Sequence, residues 1–177
     1  MTQRPDLPKA LASVSAVYAR VLRFVVNALL VVAGLGVLAM MVVTCLDVVM
    51  RVPWINRSLI GAYDIVKITG ALTLAAALPY TTAVKGHVAI EYFFHKLGRR
   101  GRIVVDVVLR LLAMAFFAFL SWRSVVYGLA LRESGQVSQT LQLPVFWVPH
   151  VIGVCCGVVV LVIAHNLIHP GREMIKP

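Results

Sequence analysis

Residues 24–46 read FVVNALLVVAGLGVLAMMVVTCL, an apolar run broken only by Asn27 and Thr44. A helix needs about 20 such residues to cross about 30 Å of hydrocarbon, so this run predicts a membrane-spanning helix. Its apolar core far exceeds the roughly 7–15 residues of a cleaved signal peptide, so the segment is expected to remain in the mature protein. Two runs further along read the same way, Ile103 to Leu120, continuing past Trp122, and Val145 to Ile163. Between them and the first lies a weaker run, Ile68 to Val84, rich in Ala, Gly and Thr and carrying Pro79. Small residues let helices approach closely, so this span is expected to pack against protein rather than lipid. The expectation is an all-α integral membrane protein with four transmembrane helices, at about 22–48, 62–84, 103–126 and 145–168. They form a single membrane domain over residues 1–177.

Composition agrees. The chain is 60% hydrophobic and 14% charged over 177 residues, where soluble domains sit near 45–50% apolar and about 25% charged. Its formal charge of +10 would suggest nucleic acid only if the basic residues formed one soluble patch. They sit between apolar runs instead, where they report topology. Cys45, Cys155 and Cys156, two adjacent and all in apolar surroundings, make neither a disulfide framework nor a zinc site.

Lysines and arginines flanking short loops mark the cytoplasmic side. Arg4, Lys9, Arg20, Arg23, then Lys85, Lys96, Arg99, Arg100, Arg102, then Arg172 and Lys176 fall on one side of the four spans, eleven in all. Arg51, Arg57, Arg123 and Arg132 fall on the other. Both termini are therefore expected inside. Residues 87–98 place Ile90, Phe93, Phe94 and Leu97 at helical spacing, with His87, Glu91 and His95 on another face and a basic turn following. Such a segment predicts an amphipathic helix lying in the cytoplasmic interface. Trp54, Trp122 and Trp147 fall near the expected outer span ends, where amphipathic rings prefer to sit.

Charges in apolar spans are costly and mark functional or packed positions. Asp47 and Arg51 are four apart at the outer end of span one, and Asp64 and Lys67 three apart at the start of span two. Both spacings place opposite charges on one helix face, and with Arg57 they suggest an outer charge cluster. In span three Arg102, Asp106 and Arg110 follow at intervals of four, which places Arg110 about 12 Å along the helix from Arg102. This face is expected to pack against protein, with Asp106 pairing Arg110. The chemistry of catalysis is harder to find. A four-helix haem protein needs histidines at matching depths on facing spans, and spans one to three have none. His165 and His169 are read as interfacial, and His87, Glu91 and His95 as a solvated face rather than a metal site. No Cys-x-x-Cys, phosphate loop or Ser/His/Asp arrangement stands out, so no cofactor and no enzymatic activity are expected.

In order, the chain has Asp47-Val-Val-Met-Arg51 closing span one, Asp64 opening span two, and a small-residue-rich span. Lys85-Gly86-His87-Val88-Ala89-Ile90-Glu91 and a basic turn follow, with Gln142-Leu143-Pro144-Val145-Phe146-Trp147 ahead of span four. This order resembles the small, four-helix DctQ-type membrane subunit of tripartite ATP-independent periplasmic (TRAP) transporters, over nearly the whole chain. That family typically has glutamate where Asp64 stands, isoleucine at Val88 and aspartate at Glu91. Each departure keeps charge or shape. Lys67 matches nothing in the family pattern.

The resemblance implies a non-enzymatic subunit in a bacterial inner membrane, packed beside a large multi-span permease subunit that carries the substrate and sodium sites. A soluble periplasmic binding protein would deliver the substrate, usually an organic acid. Candidates for partner contact are Asp47, Arg51, Arg57, Asp64, Lys67, His87, Asp106, Arg110 and Arg132. Two other readings stay open at this point: a membrane anchor of a redox complex, and a small homodimeric exporter using Asp64 or Asp106 as a proton site.

Overall fold

The computed structural model describes residues 9–52, 60–84 and 99–168. Four helices carry almost all of them: α1 (Lys9–Met50), α2 (Ala62–Ala83), α3 (Arg99–Glu133) and α4 (Trp147–Ile168). Each contains a stretch long and apolar enough to cross a membrane. No strand longer than an isolated bridge occurs among the described residues. In hydrocarbon every backbone N–H and C=O must be satisfied within the segment, which the α-helix does for an uninterrupted apolar run. The two prolines within helices are placed where they can be borne. Pro149 lies in the first turn of α4, where its missing N–H would have had no partner. Pro79 is buried in α2 against neighbouring helices.

The helices are unequal: α1 has 42 residues and α3 has 35, whereas α2 and α4 have 22 each. At the helical rise of about 1.5 Å per residue, α1 is about 63 Å long, α3 about 52 Å, and the short pair about 33 Å each. The short pair matches the bilayer. The helices stand in the order α1, α2, α4, α3, each packed along the next, and α1 also meets α4. The weak second span is thus an inner member of the row, with α1 on one side and α4 on the other.

Small residues set the seams. A Cβ on Gly36 of α1 would collide with the Thr73 hydroxyl of α2, and one on Gly70 would come within 3.2 Å of Met40 Sδ. Between α3 and α4, Ser121 Oγ donates to the Gly153 carbonyl at 2.8 Å. Gly128 lies against the His150 ring, whose Nδ1 is 2.7 Å from the Phe146 carbonyl. Where α1, α2 and α4 converge, Leu22, Val26, Ala83 and Val162 form a buried cluster flanked by Tyr80 and Val158. The flanks of the row are open and apolar, with Leu35, Leu38 and Met41 exposed on α1 and Leu112, Phe116 and Phe119 exposed on α3.

α3 continues to Glu133, and Trp122 follows Ser121, which meets Gly153 near the start of α4. His165, in the last turn of α4, is buried and stacked on Tyr18 of α1 at 5.9 Å between ring centroids. The long α1 reaches past the end of α2, and its aromatic ring covers the histidine. The amphipathic segment 87–98, with His87, Glu91 and His95, lies outside the described residues, as do Trp54 and Arg57.

Candidate functional site: polar groups at the two ends of the helix row

The polar residues gather at opposite ends of the row, called here the Asp64 end and the Arg110 end. At the Asp64 end, α2 begins after Gly61, whose φ of 89° is a left-handed conformation that glycine adopts without steric cost. Asp64 lies in the first turn of α2 and is 3% exposed. Its Oδ2 accepts the backbone N–H of Thr140 at 2.7 Å and of Leu141 at 3.0 Å. Those two residues are the tip of the α3–α4 connection, a narrow loop in which Ser138 N–H donates to the Leu143 carbonyl at 2.9 Å and Val137 bridges Pro144. Leu141 also covers Gly61, where a Cβ would come within 2.5 Å of its side chain. One carboxylate thus pins the distant connection onto the start of α2.

This arrangement corrects the expected Asp64–Lys67 pair. The spacing does put both on neighbouring positions of α2. But Asp64 Oδ2 already accepts both the Thr140 and Leu141 amides, and such charge-assisted bonds hold the carboxylate in place. A lysine side chain can turn elsewhere. The Lys67 ammonium lies over the Tyr63 ring, 5.9 Å from its centroid. The expected outer cluster is therefore divided. Arg51 pairs with Asp47 at 2.8 Å on the last turn of α1, Asp64 serves the loop, and Arg132 is exposed in the last turn of α3, where a cation complements the helix dipole.

At the Arg110 end, Asp106 and Arg110 of α3 make a forked contact, Nη2–Oδ2 at 2.9 Å and Nε–Oδ1 at 3.0 Å. The remaining arm of the guanidinium donates to the Asn166 carbonyl of α4 at 2.6 Å. Asn166 lies in the last turn of α4, whose final four carbonyls have no partner within the helix. Arg110 caps that terminus, and its charge sits favourably at the negative end of the helix dipole. Because α4 ends there, Arg110 lies level with a helix end although it is well inside α3. Tyr18 completes this end, donating its hydroxyl to the Leu161 carbonyl at 3.2 Å.

Sequence reasoning missed the Thr140 and Leu141 amides, Gly61, Asn166 and the Gly128–His150 contact. A glycine shortly before an acidic helix start was the available signal for the first two. The Gly153-x-x-x-Gly157 spacing in α4 was the signal for the last. Among the described residues no three His, Cys, Asp or Glu side chains come together in a way that could hold a metal.

Four membrane-length apolar helices, with most of their charges towards the two ends, define a multi-pass membrane protein. Comparison with known proteins then narrows the class. The sequence model of the family described as "Tripartite ATP-independent periplasmic transporters, DctQ component" matches residues 40–172. The chain belongs to this family and is a small permease subunit of a TRAP transporter. The family is one of transporter components, which work in a tripartite complex with a large permease and a binding protein. Comparison with curated proteins and with solved structures finds no match.

Proposed function

We propose that this subunit is a fixed scaffold for the large permease subunit in a bacterial inner membrane. The transporter it serves uses an ion gradient, with sodium as the ion, to take up an organic acid delivered by a periplasmic binding protein. The observation that supports a scaffold is how the polar groups are spent. Asp106 and Arg110 hold α4, Asp64 holds the α3–α4 connection, and Asp47 holds Arg51. These groups brace the row rather than line a path through it. Broad apolar flanks on α1 and α3 remain for lipid.

The excess of lysine and arginine near both termini and between α2 and α3 supports a cytoplasmic Arg110 end. The Asp64 end would then face the periplasm, with Arg51, Arg57 and Arg132 available to receive the binding protein. Paired charges at such a surface set docking register and on-rate more than affinity. His87 and the 87–98 segment would lie in the cytoplasmic interface.

Affinity purification of the chain from its native membrane tests this reading. A large multi-span permease subunit in stoichiometric amount is the expected result. Recovery of the chain alone as a homodimer that transports by itself in proteoliposomes would overturn it, as would a haem-bearing partner.

A further inference from the structure

Among the described residues Lys67 lacks the kind of partner that Asp47, Arg51, Asp64, Asp106 and Arg110 have, as does the exposed Arg123 of α3. Asp47 with Arg51 and Asp106 with Arg110 form ion pairs, and Asp64 is held by two backbone amides. The Lys67 ammonium has the Tyr63 ring beside it and no carboxylate within ion-pair distance among the described residues. Of the remaining acids, Glu133 ends α3, with α4 standing between α3 and α2, and Asp6, Glu91 and Glu173 lie outside the described residues. Lys67 is five residues into α2, about 7–8 Å along its axis from Ala62 and towards the Asp64 end.

The surface around it is also unusual. By helical spacing Tyr63, Lys67, Leu74, Ala77 and Thr81 share one side of α2, with Gly70 at its edge turned toward Met40 of α1. Tyr63 is 65% and Leu74 69% exposed, and Lys67 and Thr81 are exposed as well. This side looks outward from an inner helix of the row. It offers one large aliphatic residue, a cation, a phenol, a hydroxyl and one small residue, Ala77. The exposed sides of α1 and α3, with Leu35, Leu38 and Met41 and with Leu112, Phe116 and Phe119, are what hydrocarbon prefers. α2 is also the least hydropathic of the four spans. A lipid headgroup would account for Lys67 and Tyr63 near the helix end, but the poorly lipophilic stripe runs on to Thr81, about 27 Å from Tyr63. A protein helix accounts for its full length, and the small Ala77 allows that helix to come close.

We infer that the Tyr63–Thr81 side of α2 is the docking face for a transmembrane helix of the large permease subunit, and that this helix presents a carboxylate to Lys67. The inference rests on the scaffold role proposed above and specifies the surface through which it acts. Truncating one partner of a desolvated ion pair leaves the other charge buried and alone, so the loss falls on the complex rather than on this chain.

The test is co-purification of the large subunit with the tagged chain, comparing Lys67→Met, Lys67→Glu and Lys67→Arg, with a photo-crosslinking residue placed at Leu74 and, separately, at Leu112 of α3. Lys67→Met makes α2 more apolar and should insert normally, so membrane level and helix content report that the chain itself is intact. The expected result is a loss of about tenfold or more of co-purified large subunit in Lys67→Met and Lys67→Glu. Lys67→Arg should retain it, and crosslinking from Leu74 to the large subunit should exceed that from Leu112. Wild-type recovery of the large subunit in Lys67→Met and Lys67→Glu, or adducts from Leu74 to lipid alone, would overturn the inference while leaving the scaffold reading in place. If the wild-type chain brings down no large subunit, the scaffold reading fails first and the docking face with it.

Discussion

Gly34 and Gly128 undergo the same chemical change on substitution by alanine but meet opposite surroundings, which makes them a paired probe of the α3–α4 seam. Replacing glycine by alanine inside a helix gains about 1 kcal/mol from the restricted backbone. A Cβ on Gly34 of α1 meets nothing within 4 Å, so Gly34→Ala should show that gain undiminished. A Cβ on Gly128 would fall onto the His150 ring and within 3.2 Å of the Phe146 carbonyl. The carbonyl is backbone and cannot step aside. The ring can rotate only by giving up its 2.7 Å contact with that same carbonyl, a hydrogen bond worth about 0.5–1.5 kcal/mol. Otherwise α3 and α4 must separate, and overpacking of this kind costs about 1–3 kcal/mol. The Gly128→Ala variant should therefore be less stable than Gly34→Ala by about 1–3 kcal/mol. Equilibrium unfolding in mixed detergent micelles, followed by helix content and by the fluorescence of Trp122 and Trp147, reads the difference. In a His150→Ala background most of the Gly128→Ala cost should vanish, because residues in contact couple non-additively. Equal stabilities for the two alanine variants, within the roughly 0.5 kcal/mol typical of inert surface changes, would refute the close approach at Gly128.

Three further outcomes are expected. Asp64→Ala removes the acceptor shared by the Thr140 and Leu141 amides, so hydrogen exchange at those two amides should accelerate by about tenfold or more while mid-α4 amides keep their protection. Unchanged protection would remove Asp64 from its role as a latch. Asp106→Ala leaves Arg110 with only the Asn166 carbonyl, and membrane level and complex yield should both fall; normal values for both would show that the forked pair is dispensable. Charge reversal at Arg57 or Arg132 should slow transport when the binding protein is limiting, with an intact membrane complex by size-exclusion profile. Equal rates under that condition would exclude those arginines from docking.

The membrane architecture was legible because lipid makes strong demands on composition. Runs such as 24–46 have no soluble interpretation, and the small-residue span duly stands inside the row. The Asp47–Arg51 and Asp106–Arg110 pairs were legible because helical spacing is local and fixes which side chains meet. What spacing could not reveal were contacts made across the chain. Asp64 and Lys67 satisfy the local rule, yet amides 76 and 77 positions away claim the carboxylate. Arg110 has its local partner in Asp106, but the Asn166 carbonyl is invisible as a partner because every residue has one. Its availability depends on where α4 stops. The order of the row is likewise a property of the seams. Gly128 facing His150 and Gly36 facing Thr73 decide it through shape, and the sequence displays those residues without showing which surfaces they meet.

The latch at Asp64 also has a history within each molecule. The chain reaches Thr140 only 76 residues after Asp64, which at roughly 5–20 residues per second of synthesis is a delay of about 4–15 s. Throughout that interval α1 and α2 can insert as a hairpin while the carboxylate has neither of its two amides. The hairpin is thus born with a polar handle at one end, open to water, to a chaperone or to the insertion machinery. The arrival of the 138–143 loop ends that exposure. A chain halted before residue 140 would keep Asp64 on display, giving membrane quality control a local mark that distinguishes unfinished subunits from finished ones.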